Sequence, residues 1–151
     1  MRIVIPRESV AGEHRTSATP ETVKKMIRLG AEVAIESGAG AAVGFTDNNY
    51  TEVGAEIVTE RAALLGSADM VLRLRKPESD DIDMMKSGCI HVSYLDPFNE
   101  RDLIKTLAAK GITAISMEMI PRSTRSQKMD ALSSQANLAG YVAVMLAAAK
   151  Q

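Results

Sequence analysis

The stretch from Met117 to Tyr141, MEMIPRSTRSQKMDALSSQANLAGY, holds the densest chemistry in the chain. It supplies a planar cationic fork at Arg122, an amide at Gln127 that both donates and accepts, and a carboxylate at Asp130, with Arg125 and Lys128 alongside. Such a set can grip a carboxamide or a carboxylate. The same residues would equally make a solvated loop in which Arg and Asp pair with each other. Ser133 and Ser134 stand at the head of an apolar run, where Ser133 reads as a helix N-cap satisfying an orphan amide. Upstream, His14 and Arg15 follow the first β-rich run, and Arg15 is either a cleft residue or half of a loop-stabilising salt bridge. His91, within CIHVSYL, reads as a satisfied core histidine. The glycines of Gly38-Ala-Gly40-Ala-Ala-Val-Gly44 miss the GxGxxG spacing, which needs glycine at Val43. Phe45-Thr46-Asp47 also intervenes before any helix, with Thr46 or Asp47 as its cap. The segment is therefore expected to be a glycine-rich βα turn, and the chain to lack a dinucleotide-binding Rossmann unit of its own.

The elements that must hold these residues follow from an alternation along the chain. β-rich runs lie at Arg2 to Pro6, Glu32 to Ser37, Met70 to Arg75, Cys89 to Leu95 and Thr113 to Met119, with a weaker one at Glu56 to Val58. Between them, Pro20 to Leu29 starts behind the N-cap Thr19 and stops at Gly30, and Asn99 to Lys110 repeats the plan with Asn99 as cap and Gly111 as terminator. Glu78 to Asp83 reads as the cap and acidic first turn of another helix. This alternation predicts an α/β fold, a doubly wound parallel sheet in three layers.

With 151 residues, one cysteine and a formal net charge of −1, the chain is one domain able to bury a core without staples, and it offers no disulfide and no zinc cluster. No basic stripe is present and only five aromatics (three Tyr, two Phe), which argues against nucleic-acid binding. The amino-terminal residues carry no signal-peptide pattern, so a cytoplasmic protein is expected. The run LAGYVAVMLAAA, Leu138 to Ala149, is apolar on every face yet shorter than the roughly 20 residues that span a bilayer. It is either a core helix closing one face of the sheet or a helix that packs against a further domain or subunit.

The segments IPRESVAGEHRTSATPETVKKMIRLGAEVAIESGAG, MVLRLRKP and above all PRSTRSQKMDALSSQANLAGY resemble the N-terminal part of the NAD(H)-binding alpha component of proton-translocating NAD(P) transhydrogenases. More loosely, the chain is similar to alanine dehydrogenases. The resemblance implies a flavodoxin-like lobe, residues 1–132, whose polar loop 120–133 faces the nicotinamide, followed by a linking helix, 133–151, toward a Rossmann lobe outside this sequence. It places catalytic roles on Arg122, Gln127 and Asp130 and cofactor binding on Arg122, Gln127, Asp130 and Ser133, with Arg15 as a possible cleft residue. It further implies NAD(H) held mainly by the other lobe, NADP(H) on a partner subunit, a homodimer, a beta subunit and membrane domain as partners without direct membrane insertion, and a cytoplasmic location peripheral to the inner membrane.

Two positions separate the relatives. Alanine dehydrogenases share Arg15, which there binds the keto acid's carboxylate, but place lysine where this chain has Arg75 and histidine where it has Asp96. An arginine cannot exchange a proton near neutral pH, and an aspartate can do so only with a strongly raised pKa. Hydride transfer between two nicotinamides needs no protein acid or base. The expected function is therefore a transhydrogenase lobe, inactive alone. The alternatives are an alanine-dehydrogenase-like lobe and a non-catalytic dimerisation or regulatory lobe.

Overall fold

In the computed structural model, which describes residues 1–150, the apolar runs all pair in parallel. Strands β1 (Arg2–Ile5), β2 (Glu32–Glu36), β3 (Glu56–Val58), β4 (Met70–Leu72), β5 (Ile90–Ser93) and β6 (Thr113–Ser116) form one sheet in the order β3-β2-β1-β4-β5-β6. That is the doubly wound Rossmann order. With the short edge strand β3 set aside, the remaining order is that of the flavodoxin-like fold. The chain reverses direction across the sheet between β1 and β4, which pair at Ile3 with Met70 and Val4 with Val71. Ligands of open α/β sheets collect outside the carboxyl ends of the strands at such a point.

Helices α1 (Pro20–Arg28) and α2 (Asp47–Thr51) pack on one face, over Ile5, Val33 and Ile35. Helices α3 (Arg61–Ser67), α4 (Ser79–Met84) and α5 (Arg101–Ala109) pack on the other, where Val4, Ala34, Leu64, Leu65, Val71, Ile82 and Leu107 form a core cluster. The Thr19 side chain accepts from the Thr22 amide, and Thr46 forms a capping box with Asn49. The glycine run is the expected turn: the Gly38 amide donates to Asp47 Oδ1 at 2.9 Å, so it is already occupied. A Cβ at Gly40 would sit 2.7 Å from the Tyr50 hydroxyl, so the turn closes only around glycine there.

Several boundaries differ from the sequence reading. Helix α3 is absent from that reading because RAALLGS is short and carries Gly66. Asn99 does not cap α5. Its side-chain amide donates to both Asp96 carboxylate oxygens at 2.9 Å, closing a turn in which Asp96 has a φ of +49°, and the helix starts two residues later. β6 ends at Ser116 and gives way to a single 3-10 turn, Met117–Met119. The last helix, α6 (Ala131–Ala148), is capped by Asp130 rather than Ser133, because the Asp130 carboxylate reaches the Leu132 and Ser133 amides first.

The layering is uneven. Register places Ile90, Val92, Thr113 and Ile115 on the α1/α2 face, away from buried His91, and Ile115 is 42% exposed. No residue of α6 is buried, and Leu138, Tyr141, Val144, Met145 and Leu146 all stand in solvent. The helix does not close the sheet, so the core-helix reading of Leu138 to Ala149 fails. By length and composition alone α6 could also cross a membrane, a test that interior helices of soluble proteins pass as well.

Candidate functional site

The carboxyl ends of the strands carry a dense set of charges. Glu36 at the end of β2 accepts from the Arg7 amide and from Arg61 at the start of α3. Asp81 in α4 accepts from Arg61 Nε and Nη2 at 2.7 and 2.9 Å and from Arg73 Nη1 at 2.5 Å. Burial pushes the Asp81 carboxyl up, but the Arg61 and Arg73 guanidiniums outweigh it and hold it below the usual carboxylate range. Arg73, fully buried, lies 3.7 Å from Glu8, whose carboxylate also receives the Leu74 and Arg75 amides. This network ties the segment after β1 to the ends of β2 and β4 and makes an ion-paired floor at the carboxyl edge of the sheet.

At the same edge of the sheet, a cavity of about 550 Å³ is lined by Arg15 from the segment after β1, Arg75 from after β4, Tyr94 from after β5, Glu118 from after β6, and Arg122 and Asp130. A smaller polar cavity of about 240 Å³ adjoins it through Arg122 and Asp130 and adds Ser123, Thr124, Gln127 and Ser133. The polar residues singled out in the sequence thus meet: Arg122, Gln127, Asp130 and Ser133 line one small cavity, and Arg15 lines its larger neighbour. Arg125 and Lys128 line neither cavity and are exposed.

Asp130 does double work. Its Oδ2 accepts from the Ser133 hydroxyl at 2.6 Å while Oδ1 caps α6, and the Ser133 bond, followed by the Ser133 and Leu132 amides, keeps the carboxyl below its ordinary range. It is therefore a fixed anion and acceptor at neutral pH. Glu118 is fixed in another way. It accepts from the Leu95 and Asp96 amides and from the Ser116 hydroxyl, so that despite burial pushing it up its carboxyl is lowered and the β5–α5 segment is tied to the end of β6.

Arg15 lines the larger cavity and is at the same time a salt-bridge partner. Its Nε and Nη2 both donate at 2.7 Å to Glu13, and Arg75 Nε donates to the same carboxylate at 2.8 Å. Sequence reasoning missed Glu13 and Glu118. The Glu13-x-Arg15 spacing was a usable signal for the first pair. His91 is buried in the core as expected, with Nε2 3.0 Å from Ser93 Oγ, but its Nδ1 has no hydrogen-bond partner among the described residues. Burial, and then Arg73, push its pKa down to about 4.

The profile described as the alanine dehydrogenase/PNT N-terminal domain matches residues 4–139. The chain is 41% identical over 145 residues to the NAD(P) transhydrogenase subunit alpha of Cereibacter sphaeroides, an alignment covering 96% of this chain and 28% of that protein. It is 32% identical over 148 residues to the alanine dehydrogenase of Methanococcus maripaludis, covering 98% of this chain and 39% of that one. The crystal structure of transhydrogenase from Sinorhizobium meliloti superposes with a TM-score of 0.91 at 40% identity, covering 98% of this chain and 44% of that chain. The chain thus spans between 28 and 39% of the length of these curated relatives.

Proposed function

We propose, for a chain that belongs to the alanine dehydrogenase/PNT N-terminal domain family, that it is the lobe of a proton-translocating NAD(P) transhydrogenase that positions the nicotinamide of NAD(H) for hydride transfer to NADP⁺ on a partner subunit. The observation that carries this reading is the gathering of Arg122, Gln127, Asp130 and Ser133 around one polar cavity of about 240 Å³. A carboxamide needs both donors and acceptors, and this wall offers a guanidinium, an amide, a hydroxyl and an anionic carboxylate. The residues present fit a nicotinamide carboxamide. When bound, the dihydronicotinamide supplies the hydride, and the lobe contributes position and electrostatics.

Each side chain then has a task. Arg122, shared by both cavities, and Gln127 orient the carboxamide. Asp130, fixed as an anion by Ser133 and the helix amides, presents a constant negative charge beside it. Against the alanine-dehydrogenase-like alternative stand the two positions that would exchange a proton there. Arg75 is tied to Glu13, and the Asp96 carboxylate is engaged by Asn99. The wider assembly follows from the same reading: a homodimer with α6 leading to a Rossmann lobe that holds most of the NAD(H), a beta subunit with NADP(H), and a cytoplasmic position peripheral to the membrane domain.

The test measures single-turnover hydride transfer from NADH to an NADP⁺ analogue in the assembled enzyme carrying this lobe. Arg122→Ala slows it by about tenfold or more, because a misplaced nicotinamide loses its near-attack geometry. Ammonia-dependent reduction of pyruvate at a rate comparable with transhydrogenation would overturn the reading in favour of alanine-dehydrogenase chemistry.

A further inference from the structure

Two arginines at the cavity wall depend on one carboxylate. The Glu13 side chain is only 3% exposed, while those of Arg15 and Arg75, which it holds, are 54% and 50% exposed. Glu13 Oε1 accepts from the Arg15 backbone amide and Nε, and Oε2 accepts from Arg15 Nη2 and Arg75 Nε. The bond to Arg15 is the largest cause holding the Glu13 carboxyl down to about 2, so it is an anion at every working pH. Glu13 engages Nε and Nη2 of Arg15 but only Nε of Arg75, which leaves Arg15 Nη1 and both terminal nitrogens of Arg75 free of Glu13 in two side chains that line the cavity with Arg122 and Asp130. Two long arginine side chains without such an anchor would lose this arrangement to rotamer freedom. Asp130 and Glu118, the carboxylates that line the cavity, would then compete for them.

We infer that Glu13 is a positioning residue of the cleft: its buried carboxylate keeps Arg15 and Arg75 as a fixed cationic wall that draws the negatively charged dinucleotide toward the Arg122–Ser133 loop. The inference rests on the nicotinamide reading of that loop. Charge and position predict opposite signs when Glu13 is neutralised. Removing a negative charge adds attraction for a polyanion. Releasing the two guanidiniums removes it.

The deciding measurement is the NADH dissociation constant of the assembled enzyme, by fluorescence titration, with a thermal melt alongside. Glu13→Gln weakens NADH binding about tenfold, and Glu13→Asp, a shorter carboxylate, recovers part of the loss. Arg75→Lys keeps Glu13 and the charge but removes the planar fork, and it weakens binding in the same direction, which keeps the test open if Glu13→Gln does not fold. Equal or tighter NADH binding by Glu13→Gln, with hydride transfer still slowed in Arg122→Ala, overturns the positioning role and leaves the loop's role standing. Unchanged NADH binding in Glu13→Gln together with unchanged hydride transfer in Arg122→Ala overturns the two together.

Discussion

The ion-paired floor at the sheet's carboxyl edge and the carboxyl-terminal segment, both rich in polar groups, are built on opposite principles. In the floor, Arg73 and Asp81 are buried and every charge is tied to at least one other across elements distant in sequence. From Pro121 onward the hydrogen bonds are local, within the loop and the first turn of α6, and Asp130 is the one buried residue of 121–150. The first region is cross-linked between distant elements and fixes geometry, although Arg73 Nε and Nη2 find no hydrogen-bond partner among the described residues. The second is determined by a few neighbours, and it is there that the chemistry of the proposed function stands. Binding residues sit disproportionately on such segments, held by a rigid scaffold.

The sharpest way to break this contrast is Asp81→Ala. It leaves the buried Arg73 guanidinium with only the more distant Glu8, at 3.7 Å, and removing one partner of a buried pair costs about 3–5 kcal/mol, read as a fall in chemical-denaturation midpoint. A loss below about 1 kcal/mol would mean the floor is as tolerant as the loop.

Acid should strike the same core next. The His91 pKa is about 4 in the fold against an ordinary 6.5. The unfolded chain therefore binds a proton below pH 6.5 while the folded chain does not until about pH 4. Stability falls as pH drops from 6.5 to 4, by up to about 3 kcal/mol, and this contribution is flat above and below that window. Glu13 runs on a lower window: its folded pKa of about 2, against 4.5, gives stability present above 4.5 and lost as pH falls toward 2. Denaturation midpoints of His91→Gln and the parent protein across pH 4 to 7 should differ in slope. Parallel curves would show that His91 is not held neutral.

Smaller effects belong to the other region. Arg122→Ala should change folding stability by less than about 1 kcal/mol, as for an exposed polar substitution, although under the proposed function it should slow hydride transfer in the assembled enzyme. A large drop in melting temperature would make Arg122 part of the scaffold. Replacing Leu138, Val144 and Leu146 of α6 by serine should leave the melt of the sheet nearly unchanged, since all three are exposed, but should abolish binding of a hydrophobic dye by the chain alone. A destabilised sheet would show that α6 packs on the core.

Local signals carried most of what the sequence revealed. Thr19 and Thr46 are caps because their side chains reach amides three residues on, and the alternation of apolar runs with capped helices is enough to specify the parallel sheet. The membership of the polar cavity was legible too, since Arg122, Gln127, Asp130 and Ser133 lie within one short stretch. What escaped depends on partners far along the chain. Glu13 becomes the anchor of two arginines only because Arg75 meets it across 62 positions, and Glu118 matters because Leu95 and Asp96 turn back toward it. The cap of α6 was misplaced because two serines advertise a start that an aspartate three residues earlier takes first.

The central place of β1 sets the order in which the molecule can be assembled. It pairs with β2 within the first 36 residues, yet its other edge stays open until β4 arrives, where the Arg2 amide meets Asp69 67 positions away. Closing so long a loop delays the reward of the contacts it brings, and parallel sheets are slow to fold for that reason. The step that zips β4 onto β1 also carries Arg75 to Glu13 and Arg73 to Glu8. The cleft therefore has no existence before the slow crossover is complete, and a chain interrupted before residue 70 holds a half-sheet with a bare inner strand and no trace of the site.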